Sequence, residues 1–123
     1  MIDKVYQGLI NELESSTSKK LIQWDKGEGQ FAYYFTSNNR KFLVDKYYSF
    51  FSNQTNVCFS LTIFDSNKIL DELVSCKVDG LDSEFELLKN LYEIVEKAVV
   101  EKRNEKLSPI LNDITESLKS LHS

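Results

Sequence analysis

Eleven of the fifteen aromatic residues fall between Phe31 and Phe64, a stretch with only four charged residues: Arg40, Lys41, Asp45 and Lys46. Phe and Tyr at that density favour extended chain on a half-buried surface. Asn38-Asn39 and Asp65-Ser66-Asn67 punctuate the stretch with residues that tolerate turn geometry. From Asp82 onward the chain changes character, becoming charged with apolar residues spaced by three and four. The expected architecture is α+β: an N-terminal helix, a five-stranded antiparallel β-meander and two C-terminal helices, with the helices mainly on one face of the sheet. The whole chain, residues 1–123, reads as one domain.

Ile2, Val5, Tyr6, Leu9, Ile10 and Leu13 form an amphipathic helical stripe over residues 2–15, which the serine-rich 15–18 cluster is expected to end. Strands are expected at about 20–25, 30–37, 40–51, 57–64 and 69–78. Side chains alternate along a strand, so each hairpin can be tested for agreement on one apolar face. A two-residue turn at Asn38-Asn39 sets Phe35 opposite Phe42 and Tyr33 opposite Val44. A four-residue loop at 26–29 sets Trp24 opposite Phe31 and Ile22 opposite Tyr33. A polar loop at 52–56 lets Phe50 face Phe59 and Tyr48 face Leu61. A four-residue loop at 65–68 sets Ile63 opposite Leu70, Phe59 opposite Val74 and Val57 opposite Cys76. One apolar face results, with Lys46 and Glu72 as exceptions at its rim. The second face then collects Leu21, Tyr34, Leu43, Tyr47, Phe51, Phe64, Ile69 and Leu73. An apolar set of that size implies a covered or binding surface; Tyr34, Leu43, Phe51, Phe64 and Leu73 are the expected interface.

After an Asp79-Gly80 turn, Ser83 and Glu86 carry the capping-box spacing. A stripe follows from Leu87 to Val99. Pro109 suits the first turn of a helix, so a second C-terminal helix is expected to start with Ser108 as its cap. Leu107, Leu111, Ile114, Leu118 and Leu121 step 4, 3, 4, 3, a seam able to zip to another helix of the same chain or of a neighbour. Its short length favours the same chain.

Composition narrows the function. Fifteen basic residues are interspersed among 19 acidic ones, for a net charge of −4. No basic footprint for duplex DNA is present, and no apolar run approaches a membrane span. The N-terminus lacks a secretory h-region, so the expected compartment is cytoplasmic. One histidine, His122, lies at the end of the chain, where it cannot anchor a triad or a His-based metal site. Cys58 and Cys76 fall on opposite sides of the sheet in the expected register, which makes them separate buried thiols; two cysteines alone build no zinc site. The carboxylates Glu84 and Glu86 belong to a helix start, where negative charge is favoured. Gly27-Glu28-Gly29 and Asp65-Ser66-Asn67 are turns, since they lack the residues of a phosphate loop or a calcium loop. No catalytic residue, metal or cofactor is therefore expected, and the chain reads as a binding protein. Arg40 and Arg103, the only arginines, suit phosphate or carboxylate, and Tyr47 offers a ring for stacking.

Leu21-Ile22-Gln23-Trp24 after a short helix, Phe59-Ser60-Leu61-Thr62-Ile63-Phe64-Asp65 before a turn and Leu88-Lys89-Asn90-Leu91-Tyr92-Glu93-Ile94 in the long helix form a combination. It resembles small, mostly uncharacterised bacterial and phage proteins with helix–β-meander–helix layout. Size and layout are also similar to phage sponges of cyclic nucleotide immune signals, of the Thoeris anti-defence type. The resemblance implies a homo-oligomeric binding protein of phage or mobile-element type. Such a protein sequesters a small anionic, nucleotide-like signal or blocks a single host protein. The alternative is an antitoxin or immunity-type protein capping a partner enzyme through the outer sheet face.

Overall fold

A computed structural model describes residues 4–51, 53–77 and 83–122, with the side chain of Phe51 outside that description. The expected Asp79-Gly80 turn and Ser52 likewise lie outside it. Among the described residues the order is α1 (Lys4–Ser18), β1 (Asp25–Lys26), β2 (Tyr33–Ser37), β3 (Arg40–Phe51), β4 (Gln54–Asp65), β5 (Lys68–Cys76) and α2 (Ser83–Ser120). The strands form one antiparallel sheet in the order β1-β2-β3-β4-β5, a meander.

α1 runs through the serine-rich cluster and ends with it at Ser18. Thr17 donates its hydroxyl back to the Leu13 carbonyl at 2.6 Å and accepts the buried Trp24 indole N–H at 2.9 Å. The helix closes three residues later than expected. Lys20 takes the left-handed conformation (φ 61°), with Leu21 N–H on Ser16 O and Lys20 N–H on Thr17 O. That is the Schellman pattern, which satisfies the last carbonyls. Residues 19–24 are consumed in this cap and its exit, so the first strand shrinks to Asp25 and Lys26. They pair with Tyr34 and Tyr33, and Trp24 and Ile22 reach the core from outside the sheet.

The β2–β3 hairpin has the expected register: Phe35 opposite Phe42 and Tyr33 opposite Val44. Asn38 and Asn39 sit at φ 51° and 65°, the doubly positive geometry of a tight two-residue turn. At β3–β4 the loop is tighter than 52–56. Phe51 pairs with Gln54, which sets Tyr48 opposite Val57 and Lys46 opposite Phe59. This slides the pairing by four residues, an even number, so faces are preserved.

The β4–β5 hairpin departs by an odd number, with larger consequences. Ser66 and Asn67 make a two-residue turn (φ 50° and 71°), and Phe64 opposes Ile69. A bulge then shifts the pairing, so that Ile63 opposes Asp71, Leu61 opposes Leu73 and Cys58 opposes Cys76. Every β5 side chain beyond the bulge therefore changes face. The shift is favoured because the unbulged register would turn Glu72 toward the core without a partner. Bulged, Glu72 accepts the Thr62 hydroxyl at 2.9 Å on the outer face. Asp71 takes the core-side rim, where it accepts the Tyr6 hydroxyl.

Both helices cover the same face. Ile10 and Leu13 of α1 and Phe85, Leu88, Leu91, Tyr92 and Val95 of α2 pack on Tyr33, Val44, Phe59, Leu61 and Ile63. Aromatic edges knit the layer: Trp24 meets Phe35 edge-on at 4.7 Å, and Phe59 lies 5.3 Å from Tyr92. The Tyr92 hydroxyl donates to the Phe31 carbonyl at 2.7 Å. Burial and the nearby Glu96 carboxylate raise its pKa, so it stays a donor.

The C-terminal region is one helix of 38 residues, with Pro109 inside it, where two helices were expected. The first half packs on the sheet. Of residues 103–122 only Leu107 is even partly buried. The heptad seam thus has no partner within the described chain, contrary to the intramolecular packing expected.

Candidate functional site

Alternation along the strands dictates the outer sheet face. Tyr34 of β2, Lys41, Leu43, Asp45 and Tyr47 of β3, Cys58, Ser60, Thr62 and Phe64 of β4, and Ile69, Glu72, Val74 and Cys76 of β5 share it. The central strand carries small side chains between bulkier rows. Cys58, Ser60 and Thr62 are buried beneath these flanks, while Tyr47, Ile69 and Val74 are exposed. The result is a shallow apolar trough with a polar floor. Lys41 covers part of its rim, its ammonium 4.8 Å from the Tyr34 ring and 5.5 Å from the Phe64 ring. Tyr47 has its pKa raised by partial burial and by the Glu72 and Asp45 carboxylates. At neutral pH it is therefore a neutral hydroxyl able to donate.

Of the interface residues expected from sequence, Tyr34, Leu43 and Phe64 lie on this face. The side chain of Phe51 is outside the described set. Leu73 is a correction: the bulge turns it inward, where it packs against the core cluster. Val74 and Cys76 take the outer positions instead. The cysteines are the second correction, since they form a Cys58–Cys76 disulfide where two free thiols were expected. Non-local pairing decided both, and the local signal that could have flagged it was the misfit of Glu72 on an apolar face.

Arg40, Tyr47 and Arg103 are not brought together. Arg40 follows the β2–β3 turn and sits 3.9 Å from the Asp65 carboxylate. Tyr47 lies seven residues further along β3, a separation of about 23 Å. Arg103 is exposed on α2, which packs on the opposite face of the sheet.

Two clefts are lined by lysines that the sequence did not assign to a site. The first, about 560 Å³, lies between the end of α1 and the middle of α2. Ile22 and Trp24 contribute apolar wall, and Lys20, Lys97, Lys102 and Lys106 surround it together with Glu101 and Glu105. Lys20 reaches Glu105 at 3.6 Å, and Lys102 donates to the Gln23 amide oxygen at 3.1 Å. Lys102 and Lys106, four residues apart, share a helical face, and Lys97 reaches the cleft from a different side of the helix. The second cleft, about 600 Å³, lies where β3 and β4 run past the start of α2. Lys46, Lys77 and Lys89 line it beside Tyr48, Phe85 and Glu96. Among the described residues no three His, Cys, Asp or Glu side chains cluster as a metal site would need, and no helix is long and apolar enough to cross a membrane.

Compared with protein-family models, curated proteins and solved structures, the chain shows no significant match.

Proposed function

We propose that this chain is a non-enzymatic, self-associating binding protein whose uncovered sheet face takes a protein partner. One observation carries the reading: both helices pack on one side of the meander, leaving Tyr47, Ile69 and Val74 exposed and Tyr34, Leu43 and Phe64 half-buried on the other, which no helix covers. A broad apolar face with interspersed Lys41, Asp45 and Glu72 has the make-up of a docking surface: apolar area for affinity, charges for register. The biological setting proposed is a phage or mobile element. There the protein blocks one host protein, or caps a partner enzyme as an antitoxin or immunity protein does. Native mass spectrometry of the complex purified from its host, with Tyr47→Glu and Val74→Glu beside it, tests the reading. Bound partner should be lost in both variants while the urea midpoint holds. A partner retained by both variants refutes docking on this face.

A second reading has its own support. The four lysines around the first cleft, against two glutamates, favour a small phosphate-bearing ligand with an apolar body, such as a nucleotide-like immune signal. A panel of cyclic and linear nucleotides should then raise the melting temperature, and Lys97→Glu with Lys106→Glu should abolish the rise. The compartment proposed is the cytoplasm, and the disulfide weighs against it, because such bonds persist mainly in oxidising compartments.

A further inference from the structure

We propose that the free half of α2 is a homotypic docking element: residues 104–121 of one copy pack, parallel and in register, on the same residues of a second copy. The product is a short two-stranded coiled coil. This rests on the self-association in the reading above and is independent of what the sheet face binds.

The exposed residues carry a heptad. Asn104, Leu111 and Leu118 occupy a positions, and Leu107, Ile114 and Leu121 occupy d positions, the steps of three and four that keep one seam facing a partner. Leu111, Ile114 and Leu118 are each at least half exposed, and Leu121 is 77% exposed. Nothing else among the described residues covers them. Leu107 alone is partly buried, at the root of the arm.

The charge pattern selects the occupant. Glu105, Lys106, Asp113, Glu116 and Lys119 all fall at b, c and f, whereas the flanking e and g positions hold Ser108, Ile110, Thr115 and Ser117. An identical helix therefore meets no like charge across the interface. A foreign helix would find no charge code to read there. Asn104 fixes the arrangement further: in a parallel, in-register pair its amide meets the amide of its own copy. In the antiparallel pair it would lie against Leu118 or Leu121 and lose its partner.

Pro109 agrees with this geometry. It sits at f, the outward position, so the Glu105 carbonyl that loses its helical donor faces water. Helices curve convex toward solvent, and a kink with proline on the outside bends the seam toward the partner. The seam spans eighteen residues, about 27 Å. It grows out of a helix already nucleated on the sheet, which removes the nucleation cost a free peptide would bear.

Sedimentation equilibrium of the full chain, from about 5 to 500 µM, tests the proposal. The wild type should fit a monomer–dimer equilibrium. The double variant Leu111→Glu/Leu118→Glu should weaken association by roughly 100-fold or more with unchanged circular dichroism per residue at low concentration. Val74→Glu, on the sheet face, should leave association as it was. Asn104→Cys should form an interchain disulfide rapidly under mild oxidation. A wild type monomeric throughout, or a dimer that survives the double variant, overturns the proposal. So does a dimer dissolved by Val74→Glu, which would put the contact on the sheet. Failure of Asn104→Cys to cross-link in an otherwise seam-dependent dimer overturns the parallel arrangement. Partner loss in Val74→Glu bears only on the sheet-face reading, so the two can fail separately.

Discussion

Cys58 is fully buried in the floor of the outer face and joined to Cys76 across the β4–β5 pair, 18 residues further along the chain. A cross-link closing a loop of that length stabilises by about 3 kcal/mol, mainly by restricting the unfolded chain. Reduction should therefore lower unfolding free energy by that order, read as a shift in urea midpoint with and without reductant. The non-reduced chain should also weigh about 2 Da less than the reduced one; equal masses would mean that the protein holds two thiols. Glu14 supplies a second test at this scale. One of its carboxylate oxygens is buried with no hydrogen-bond partner, and burial raises its pKa above the ordinary 4.5. A raised acid pKa means the folded state prefers the protonated form. Glu14 is then least harmful below pH 4.5, and its cost appears as pH rises through the folded pKa. Glu14→Gln should raise the melting temperature at pH 7, with the gain shrinking as pH falls below 4.5. A gain that is constant with pH would show that charge is not the cause.

Elements differ in how much of their geometry local sequence carries. The β2–β3 hairpin was legible because Asn38-Asn39 accepts two positive φ values and the flanking Phe and Tyr rows match only one way. The β4–β5 hairpin has an equally good turn, yet its outcome depends on a bulge. The bulge is set by what each face offers Glu72, Asp71 and Cys76 across the sheet, information outside any local window. For the same reason the candidate surface was only partly legible: Tyr34, Leu43 and Phe64 follow from alternation, while Leu73 and Val74 exchange places. Pro109 misled in the opposite direction. Its fit to a first turn is real, but an outward-facing proline in an exposed helix loses one hydrogen bond to water and is tolerated. The bulge makes a sharp prediction. Leu73→Glu should cost about 2–3 kcal/mol, since it puts a charge against Leu61 and the core. Val74→Glu should stay within about 0.5 kcal/mol. Urea unfolding of the pair decides it, and the reverse ranking would restore the unbulged register.

At the scale of the molecule, the described residues bury one apolar layer between sheet and helices and leave apolar side chains exposed in the outer trough and on the distal arm of α2, among other places. The outer trough and the distal arm of α2 belong to different layers, so each is available without unmaking the other. That separation also implies that folding energy resides almost wholly in the first two-thirds of the chain and the start of α2. The core cluster ends at Val95, with Val99 the last residue packed on it, and beyond Leu107 every residue from Ser108 to His122 is exposed. Ending the chain after Lys106 should therefore leave the melting temperature at low micromolar concentration within about 2 °C of the full-length value. The full-length protein, stabilised by assembly through mass action, should melt higher as concentration rises, and the shortened chain should not. A shortened chain that melts far lower even when dilute would mean that the arm supports the monomer. The sheet and the first turns of α2 would then be an incomplete fold, and the seam would need a partner within the same subunit.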